Sequence, residues 1–502
     1  MFKEKLAEYI DARTPIIYIN SYDDNSVDEI VYDVARVDVW EWSEMYGVRA
    51  TRKKGKEFVS NKELLESTDN SLKEFLRDGV KEQEFKRKII LIKDIVLYLE
   101  NPEVVALLKS ASLSIEDGSL DTTIILVAAS IKIPKELEKY VTILREDYLT
   151  EDDIKNVITD FQRENVVGYV NENIIENMAV AFKGLSTLEI GTILNLTYSK
   201  NGELSEDALE LIMEQKQQMI QKAGILEMVS VKETLDDIGG LYNLKEWIRN
   251  KARVLKDMKR AKEFGVDLPK GVLLAGMPGC GKSLNAKATA KVFGVPLLKL
   301  DMGRLMGKYV GESEENMRQA IALAEAISPC VLWVDELEKA FAGIGGSGGG
   351  AEVTTRLFGH FLTWMQEKES SVFVVATAND ITKLPSELMR KGRFDEVFYV
   401  KLPSDDERKK IFEIHIKKRR ATDLDSIDVS KLVELTKGYS GADIEGVVKE
   451  AVEIAFVKGQ KTTTTDDYIS VIKKTHSLKE IMGESLDKLE KEYKDRKLKS
   501  AS

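Results

Sequence analysis

A glycine-rich run that ends in a lysine and a serine is the part of the sequence that most directly suggests chemistry. The run fits the pattern GxxxxGK[ST], in which glycines let successive backbone N–H groups point at phosphate oxygens. The helix predicted to follow would add its positive N-terminal end. Lys282 is then expected to reach the β- and γ-phosphates of a nucleotide, and Ser283 to ligate Mg²⁺. The residues are Gly276, Met277, Pro278, Gly279, Cys280, Gly281, Lys282 and Ser283, with Leu284 beside them.

Two acids and an amide follow two later apolar runs. Asp335 and Glu336 come directly after CVLWV, and Asn379 ends the run VFVVATAN. The carboxyl end of a parallel strand lies beside the phosphate site, so Asp335 is predicted to hold Mg²⁺. Glu336 is predicted to orient and deprotonate the attacking water. Asn379 would bond the γ-phosphate or that water, although Asn at a strand end is also common turn chemistry.

Short apolar runs supply the scaffold for these residues. Three runs rich in Val and Leu, at 271–276, 330–334 and 372–377, suit strands buried on both faces of a parallel sheet. Helical patterns fill the gaps, as in EENMRQAIALAEAI. This alternation predicts an α/β fold with right-handed βαβ crossovers.

The first half repeats the same plan. Similar apolar runs occur at 16–20, 89–92 and 123–127, and IPKELEKYV and FKGLSTLEIGTILN parallel LPSELMRKG and TKGYSGADIEGVVK of the second half. Landmarks in the same order favour two copies of one fold. The competing interpretation is an unrelated α/β adaptor domain, because any two α/β domains share such patterns.

The chemistry of the second half is missing from the first. The acids Asp23 and Asp24 stand where the phosphates would lie and would repel them. Lys93 and Asp94 follow the second run, in place of Asp and Glu. The first half is therefore predicted to bind no ATP and to serve a structural or recruiting role.

Composition excludes several classes of protein. The chain has 502 residues, a formal charge of −11 and 32% charged residues, which fits globular domains and argues against a dedicated nucleic-acid binder. There is no apolar run of 18 residues to span a membrane, and the start lacks a signal-peptide core. Two cysteines are too few for a disulfide framework, which favours a reducing compartment such as the cytoplasm.

The second half also carries a series of motifs that resembles the AAA branch of the AAA+ ATPases. In chain order they are DIGGL, PKGVLLAGMPGCGKS, LWVDELEKAF, VATAND, ELMRKGRFD and GYSGADIEGVVKEAV, within residues 235–475. The resemblance implies ATP as nucleotide, Mg²⁺ as metal and hydrolysis to ADP and phosphate. The two-copy layout is similar to AAA ATPases of plastids and cyanobacteria, which would make the plastid stroma a second candidate compartment.

The resemblance implies a domain organisation as well. Residues 226–400 would form the large α/β subdomain, a P-loop AAA+ ATPase domain with a parallel sheet, and residues 401–476 its small α-helical lid. Residues 1–225 are predicted to be a degenerate AAA-like α/β domain without a phosphate loop. Residues 477–502 are predicted to be a charged, solvated helix that frays, because opposite charges recur there at i,i+4 spacing.

Further site residues follow from the resemblance alone. Asn379 matches the sensor-1 position, and Arg390 and Arg393 match arginine fingers that reach the γ-phosphate of a neighbouring subunit, which implies a ring, usually a homohexamer. The matches around the nucleotide are Asp237, Ile238, Gly239, His415, Gly441 and Ala442, and those of the first pore loop are Lys308, Tyr309 and Val310. The glycine run at 343–350 falls at the second pore loop.

Each of these matches has a plainer alternative. The arginines can be surface charges, His415 a packed helix histidine and Tyr309 a residue that simply packs at a loop start. Cys280 stands where the family usually has Thr, and it is either a small neutral filler or a thiol partly activated by the helix N-terminus.

The resulting function hypotheses belong to different classes. The leading one is a ring-forming ATPase motor that remodels or threads an unidentified protein substrate. The alternative is a regulatory scaffold, in which nucleotide controls a ring and the degenerate domain recruits a partner. A nucleic-acid motor is disfavoured by the acidic charge and the absence of a basic, aromatic stripe. A fused HExxH protease is excluded, since none of the three histidines forms that motif.

Overall fold

Strands and helices alternate through both halves of the chain, as the apolar runs predict. The computed structural model describes residues 2–21, 24–54, 57–64, 71–129, 131–145, 149–165, 170–204, 208–305, 312–340, 349–390, 392–496 and 498–502. The chain divides into two compact units, Met1–Ala208 and Leu209–Ser502. Within the described residues, no helix is both long and apolar enough to cross a bilayer.

The first unit is built around one mixed sheet. Its strands are β1 (Ile16–Asn20), β2 (Asp38–Ser43), β3 (Gly47–Lys54), β4 (Glu57–Leu64), β5 (Lys88–Lys93), β6 (Thr122–Ala128) and β7 (Val141–Arg145). Its helices are α1 (Phe2–Asp11), α2 (Asp24–Val34), α3 (Leu72–Lys81), α4 (Pro102–Glu116), α5 (Glu151–Glu164), α6 (Glu172–Phe182) and α7 (Thr187–Asn201), with a 3₁₀ turn at Ile95–Glu100. The strand order is β4-β3-β2-β5-β6-β1-β7, and β2, β5, β6, β1 and β7 run parallel.

The second unit has its own sheet and begins within α8 (Ala208–Ala223). Its strands are β8 (Leu226–Val229), β9 (Gly271–Gly276), β10 (Leu297–Leu300), β11 (Cys330–Val334), β12 (Val372–Ala378), β13 (Glu396–Val400) and β14 (Lys499–Ser500). The order is β14-β13-β9-β12-β11-β10-β8, with only the β8–β10 pair antiparallel among the described strands. Every residue of β9, β11 and β12 is buried, which explains their continuous apolar runs.

Helices of the second unit cover the sheet and form a separate bundle. Those on the sheet are α9 (Tyr242–Lys256), α10 (Met258–Glu263), α11 (Lys282–Phe293), α12 (Met302–Leu305), α13 (Glu312–Ala326), α14 (Leu337–Ala340), α15 (Gly349–Glu367) and α20 (Leu478–Asp495). The bundle consists of α16 (Asp405–Arg420), α17 (Val429–Leu435), α18 (Gly441–Val457) and α19 (Thr465–Ile472), packed around one apolar cluster. Short 3₁₀ turns occur at Leu235–Asp237, Ile381–Lys383, Ser386–Met389 and Ala421–Ser426.

The parallel strands of the two units follow one topology. Each unit contains five parallel strands, in the order β2-β5-β6-β1-β7 in the first unit and β10-β11-β12-β9-β13 in the second. When these five strands are numbered in chain order, both sheets read second, third, fourth, first, fifth. The α/β class predicted for both halves is confirmed. The domain boundaries stay predictions, although α8 contributes Ile220 to the core of the second unit.

The prediction of a solvated, fraying helix at 477–502 is wrong. Helix α20 buries Leu486 and Tyr493 in the core of the second unit, and β14 adds a strand beside β13 with Ala501 fully buried behind it. The residues that face the core are spaced by three or four positions, so they form one apolar stripe of the helix: Leu478, Met482, Leu486, Leu489 and Tyr493. The ion pairs Glu490–Lys494 and Glu492–Arg496 lie on its outer side.

Candidate active site

The glycine-rich run forms a tight loop between β9 and α11. Gly279 and Gly281 have φ of +70° and +84°, a region that side chains with a Cβ rarely adopt. Gly281 is the N-cap of α11 and makes no side-chain capping bond, so the first N–H groups of the helix keep no internal partner. Pro278 has no N–H, and the Met277 N–H donates to the Val400 carbonyl at 2.9 Å. The backbone donors at this helix N-terminus are therefore those of residues 279–281 and of the first turn of α11, as a phosphate site requires.

Lys282 lies folded over this loop. Its ammonium group donates to the carbonyl oxygens of Gly276 at 2.8 Å and Met277 at 2.7 Å. The side chain is buried, and burial lowers its pKa to about 8. Both partners are neutral carbonyls, so the ammonium group has no directly bonded anion and its charge is available to a phosphate group.

Ser283 and Asp335 lie together at the carboxyl edge of the sheet, where β12 separates the strands β9 and β11 that precede them. The Ser283 hydroxyl donates to Asp335 Oδ1 at 3.3 Å, and Thr377 donates to the same oxygen at 2.6 Å. A hydroxyl and a carboxylate at this distance are the hard oxygen ligands that Mg²⁺ takes beside phosphate oxygens. The residues present therefore fit the metal that the motif implies.

Glu336 and Asn379 meet one position further along the same edge. The Asn379 amide donates to Glu336 Oε1 at 3.4 Å, and Lys339 pairs with Glu336 Oε2 at 2.7 Å. Glu336 has φ of +50°, an uncommon conformation for a residue other than glycine, and its N–H donates to Thr377 Oγ1 at 3.0 Å. The turn after β11 therefore places this carboxylate beside the amide of the next strand.

The start of α18 in the helical bundle contacts the glycine-rich loop. Ala442 N–H donates to the Gly279 carbonyl at 2.9 Å, and a Cβ on Gly279 would lie 2.8 Å from Ser440 Oγ. Gly441 approaches the same carbonyl so closely that its own Cβ would lie 3.1 Å from the oxygen. The structure thus brings the predicted Gly441–Ala442 pair to the loop.

Cys280 packs against apolar residues on both faces of the sheet. Burial raises the pKa of its thiol to about 12, while the ammonium group of Lys282 opposes that shift. Desolvation of the thiolate thus outweighs the helix N-terminus and the nearby cation, which argues against a partly activated thiol. The alternative, a small neutral filler, fits the packing.

Residues 237–239 lie between the loop and α16. A Cβ on Gly239 would lie 2.4 Å from the Ile411 side chain, and one on Gly281 would lie 3.9 Å from Ile238. Asp237 caps its own turn by accepting bonds from Thr234, which lowers its pKa. Backbone and apolar contacts therefore hold this segment beside the loop.

His415 stands one helical turn beyond Ile411 on α16, and therefore on the same face. Its side chain is mostly buried, burial lowers its pKa, and Nδ1 makes no hydrogen bond, with Glu445 at 4.0 Å. The Ile411 side chain on this face is the one that contacts Gly239. Leu284, by contrast, packs against the apolar core next to α11.

The two predicted finger arginines lie on a different part of the second unit. Arg390 is exposed and directly follows the 3₁₀ turn Ser386–Met389, whose Leu388 is fully buried. Arg393 is half-buried and donates to the carbonyl of Glu387 in that same turn. The predicted pore-loop residues Lys308, Tyr309 and Val310, and positions 343–348 of the glycine run, lie outside the described residues.

Sequence reasoning missed three residues that organise the site. Thr377 bonds both Asp335 and the backbone of Glu336, and Glu338 accepts from Asn379 N–H at 3.0 Å. Glu407 accepts from Leu241 N–H at 3.1 Å and ties α16 to the 237–241 segment. Thr377 was detectable as the one polar residue within the buried run of β12, whereas the other two lie in charged helix starts and gave no signal.

The corresponding edge of the first unit carries a different cluster. Lys93, at the end of β5, places its ammonium group 2.6 Å from both Asp28 Oδ2 on α2 and Glu41 Oε1 on β2. Asp94 follows with φ of +54°, close to the value at Glu336. Only residues 21–23 separate β1 from α2, whereas residues 277–281 separate β9 from α11 in the second unit. A buried cation with two carboxylates thus stands at the strand end.

Taken together, the second unit offers a phosphate-binding helix N-terminus, a lysine, a hydroxyl with a carboxylate, and a carboxylate with an amide. Bound Mg²⁺ would neutralise phosphate charge. The chain's own residues would bind the phosphates, hold a water near Glu336 and accept its proton.

Family profiles match most of the chain. The profile described as "ATPase family associated with various cellular activities (AAA)" matches residues 272–402, and an AAA+ lid domain matches 426–470. The N-terminal domain of SpoVK-like AAA ATPases matches residues 2–145, and their second domain matches 149–223.

Similar proteins give the same result. The uncharacterized AAA domain-containing protein ycf46 of Guillardia theta is 38% identical over 91% of this chain and 88% of its own. The protein of the same name from Trieres chinensis is 35% identical over 97% and 96%. A putative ribosome biogenesis ATPase nvl of Dictyostelium discoideum is 38% identical, but over 48% of this chain and 29% of its own.

Proposed function

Since this chain belongs to the AAA ATPase family and hydrolyses ATP, we propose that it does so as a ring-forming motor that remodels or threads a protein substrate. Glu336 acts on the water, Lys282 binds the phosphates, and Ser283 with Asp335 holds Mg²⁺. Asn379 orients the water or the γ-phosphate. The adenine side of the site comprises residues 237–239 and His415. The proposed compartment is the cytoplasm, or the plastid stroma if the chain is plastid-encoded.

The observation that carries the ring proposal is the placement of Arg390. Its side chain is exposed on a turn that is anchored in the core by Leu388, so a neighbouring copy can be reached without unfolding the turn. Arg393 is half-buried on the same segment and is bonded to its backbone. A guanidinium supplied across a subunit boundary would stabilise charge that develops on the γ-phosphate. Active sites shared in this way make hydrolysis depend on assembly.

A regulatory scaffold is the second candidate function, and the first unit favours it. Its strand edge carries the Lys93–Asp28–Glu41 cluster in place of a phosphate loop. A unit of this kind would present a surface to a partner while the second unit controls assembly. Threading, in contrast, depends on Tyr309 gripping a peptide.

Light scattering on Glu336→Gln, with and without ATP and Mg²⁺, tests the proposal. This variant retains the phosphate loop but lacks the general base, so it is expected to bind ATP, to hydrolyse it very slowly and to shift from one subunit to a hexamer. Lys282→Ala is the matched control, because it removes the phosphate-binding cation and is expected to stay at its apo mass.

Two outcomes would contradict parts of the proposal. Wild-type turnover by Glu336→Gln would remove Glu336 from the catalytic role. A mass that does not change, while a fluorescent ATP analogue shows full binding, would refute the nucleotide-assembled ring and favour the scaffold.

A further inference from the structure

Helix α20 contacts the bundle segment that touches the glycine-rich loop. Leu478 N–H, at the first position of α20, donates to Asp443 Oδ2 at 3.3 Å. The same oxygen accepts from Ser440 N–H at 2.8 Å and so fixes the start of α18. The residue before Asp443, Ala442, donates its N–H to the Gly279 carbonyl. The first turn of α20 is therefore two hydrogen bonds away from the phosphate loop.

The other end of α20 contacts the strand edge that carries Asn379. The Tyr493 hydroxyl donates to the Asn379 carbonyl at 3.4 Å, and its ring stacks on Tyr399 with centroids 4.1 Å apart. Tyr493 is 1% exposed, and burial raises its pKa, so the phenol stays protonated and can donate. One turn later, Arg496 contacts Met389 Sδ at 3.5 Å, directly before Arg390.

Helix α20 therefore joins the 440–443 segment of the lid to the strand edge that carries Asn379. It spans 18 residues. Gly483, with φ of 14° and ψ of −97°, interrupts the helix after its first turn. Leu486 and Tyr493, after this kink, are buried in the core. The part before the kink packs against the same core through Leu478 and Met482, and its Leu478 N–H bonds Asp443.

We propose that α20 is a positioning element for ATP hydrolysis, which couples the 440–443 segment of the lid to Asn379 through Tyr493. The proposal rests on the role proposed above for Asn379. The backbone of Asn379 is held on one side by Glu338, which accepts from its N–H at 3.0 Å, and on the other by Tyr493. The amide that reaches Glu336 projects from this doubly held residue, so a change at Tyr493 alters where the amide points.

Tyr493→Phe tests the lower end of the coupling. It removes the hydroxyl and keeps the ring that stacks on Tyr399, so the fold is expected to survive. The expected result is a kcat for ATP hydrolysis lowered by about fivefold, the size of one hydrogen bond, with KM within about twofold. Tyr468→Phe is the matched control: that tyrosine is fully buried in the lid bundle, and its hydroxyl meets Thr463 Oγ1 at 3.2 Å. Both variants should melt alike, and only Tyr493→Phe should lose kcat.

A pair of substitutions at Leu478 tests the upper end. Leu478→Pro removes the N–H that bonds Asp443, at the first helical position, where proline is well tolerated. Ser477 before it has φ of −69° and ψ of 152°, which suits a residue that precedes proline. Leu478→Ala removes the side chain and keeps the N–H. Leu478→Pro is expected to lower kcat as Tyr493→Phe does, and Leu478→Ala to leave it within about twofold of wild type.

A double-mutant cycle separates this inference from the proposed role of Asn379. If Tyr493 acts through Asn379, Tyr493→Phe will cause no further loss of kcat when Asn379 is already Ala. Additive losses, an unchanged kcat for Tyr493→Phe, or equal effects of the two Leu478 variants would overturn the coupling. An unchanged kcat for Asn379→Ala alone would instead refute the proposed role of Asn379. Helix α20 could then not affect hydrolysis through that residue.

Discussion

Replacing Lys93 is expected to destabilise the first unit, because its ammonium group pairs with two carboxylates that are largely shielded from solvent. In the described structure, Lys93 is 9% exposed, Glu41 is 3% exposed and Asp28 is 18% exposed. Both ion-pair distances are 2.6 Å. Lys93→Met keeps much of the side-chain length and removes the charge. Asp28 and Glu41 would then lose the cation that they share, and Glu41 would keep the hydrogen bond that it accepts from the Tyr32 hydroxyl at 3.2 Å.

The size of the effect follows from breaking a buried pair. Leaving one buried charge uncompensated costs about 3–5 kcal/mol, and Asp28 Oδ1 already has no hydrogen-bond partner. Protonation of one carboxylate relieves part of that cost, so we expect about 3 kcal/mol at neutral pH. This corresponds to a roughly hundredfold rise in the opening equilibrium of the unit.

The same cluster predicts how the wild-type unit responds to pH. Burial raises the pKa of Asp28 from 3.8 to about 6. Between those values the folded state keeps a proton that the unfolded chain has released, so the free energy of unfolding decreases as the pH rises from about 4 to about 6, by up to about 3 kcal/mol. Burial would raise the pKa of Glu41, but Lys93 lowers it below its ordinary value of 4.5. Glu41 therefore makes the free energy of unfolding increase with pH, and it does so only below pH 4.5.

Amide hydrogen exchange in the full chain measures this directly. Peptides that cover α2 and β5 should exchange about a hundredfold faster in Lys93→Met, while peptides from α16 to α18 serve as an internal reference. The triple variant Lys93→Met, Asp28→Asn and Glu41→Gln is the matched control, because an uncharged cluster of similar shape regains most of the loss. Unchanged exchange in Lys93→Met, or equal exchange in the single and triple variants, would refute the role assigned to this cation.

Two further predictions concern the glycine-rich loop of the second unit. Burial raises the pKa of Cys280 to about 12. Iodoacetamide at neutral pH is therefore expected to alkylate this thiol only after urea unfolds the chain. Rapid labelling of the folded chain with loss of ATPase activity would contradict this prediction. Gly279→Ala and Gly294→Ala both place Ala at a φ near +70°, which destabilises the fold by about 1–2 kcal/mol each. Only the Cβ at position 279 would contact another segment, because it would lie 2.8 Å from Ser440 Oγ. A fluorescent ATP analogue should therefore bind Gly279→Ala at least about tenfold more weakly than Gly294→Ala, and equal affinities would show that the contact with α18 does not matter.

Local patterns were sufficient for the scaffold and for the centre of the site. The strands at Gly271–Gly276 and Cys330–Val334 are continuous apolar runs, and burial on both faces of a parallel sheet is the physical reason for such runs. The neighbourhood of Ser283 and Asp335 follows in turn, because the parallel strands β9, β12 and β11 end at the same edge of the sheet. These inferences need only the order of elements along the chain.

The contacts of α20 could not be predicted in the same way. Its apolar stripe is visible in the sequence, but charged residues surround it, and a stripe does not say which surface it covers. That surface is formed by Tyr399, by the carbonyl of Asn379 and by Met389, which lie about a hundred positions earlier. Backbone carbonyls carry no sequence signal at all, so the partner of the Tyr493 hydroxyl is available only from the structure.

The two units share a strand order but differ in the residues at their strand ends. An identical order of five parallel strands brings the strand ends together in each unit. In the second unit, residues 277–281 leave room for a loop whose N–H groups can surround phosphates. In the first unit, α2 begins at Asp24, only three residues after β1, and Lys93 meets the carboxylates of Asp28 and Glu41. Both edges concentrate charge where helix and strand ends meet. The first unit satisfies it with a cation of its own chain, whereas the role proposed for the second is to bind the phosphates of a nucleotide with Lys282 and the helix N-terminus.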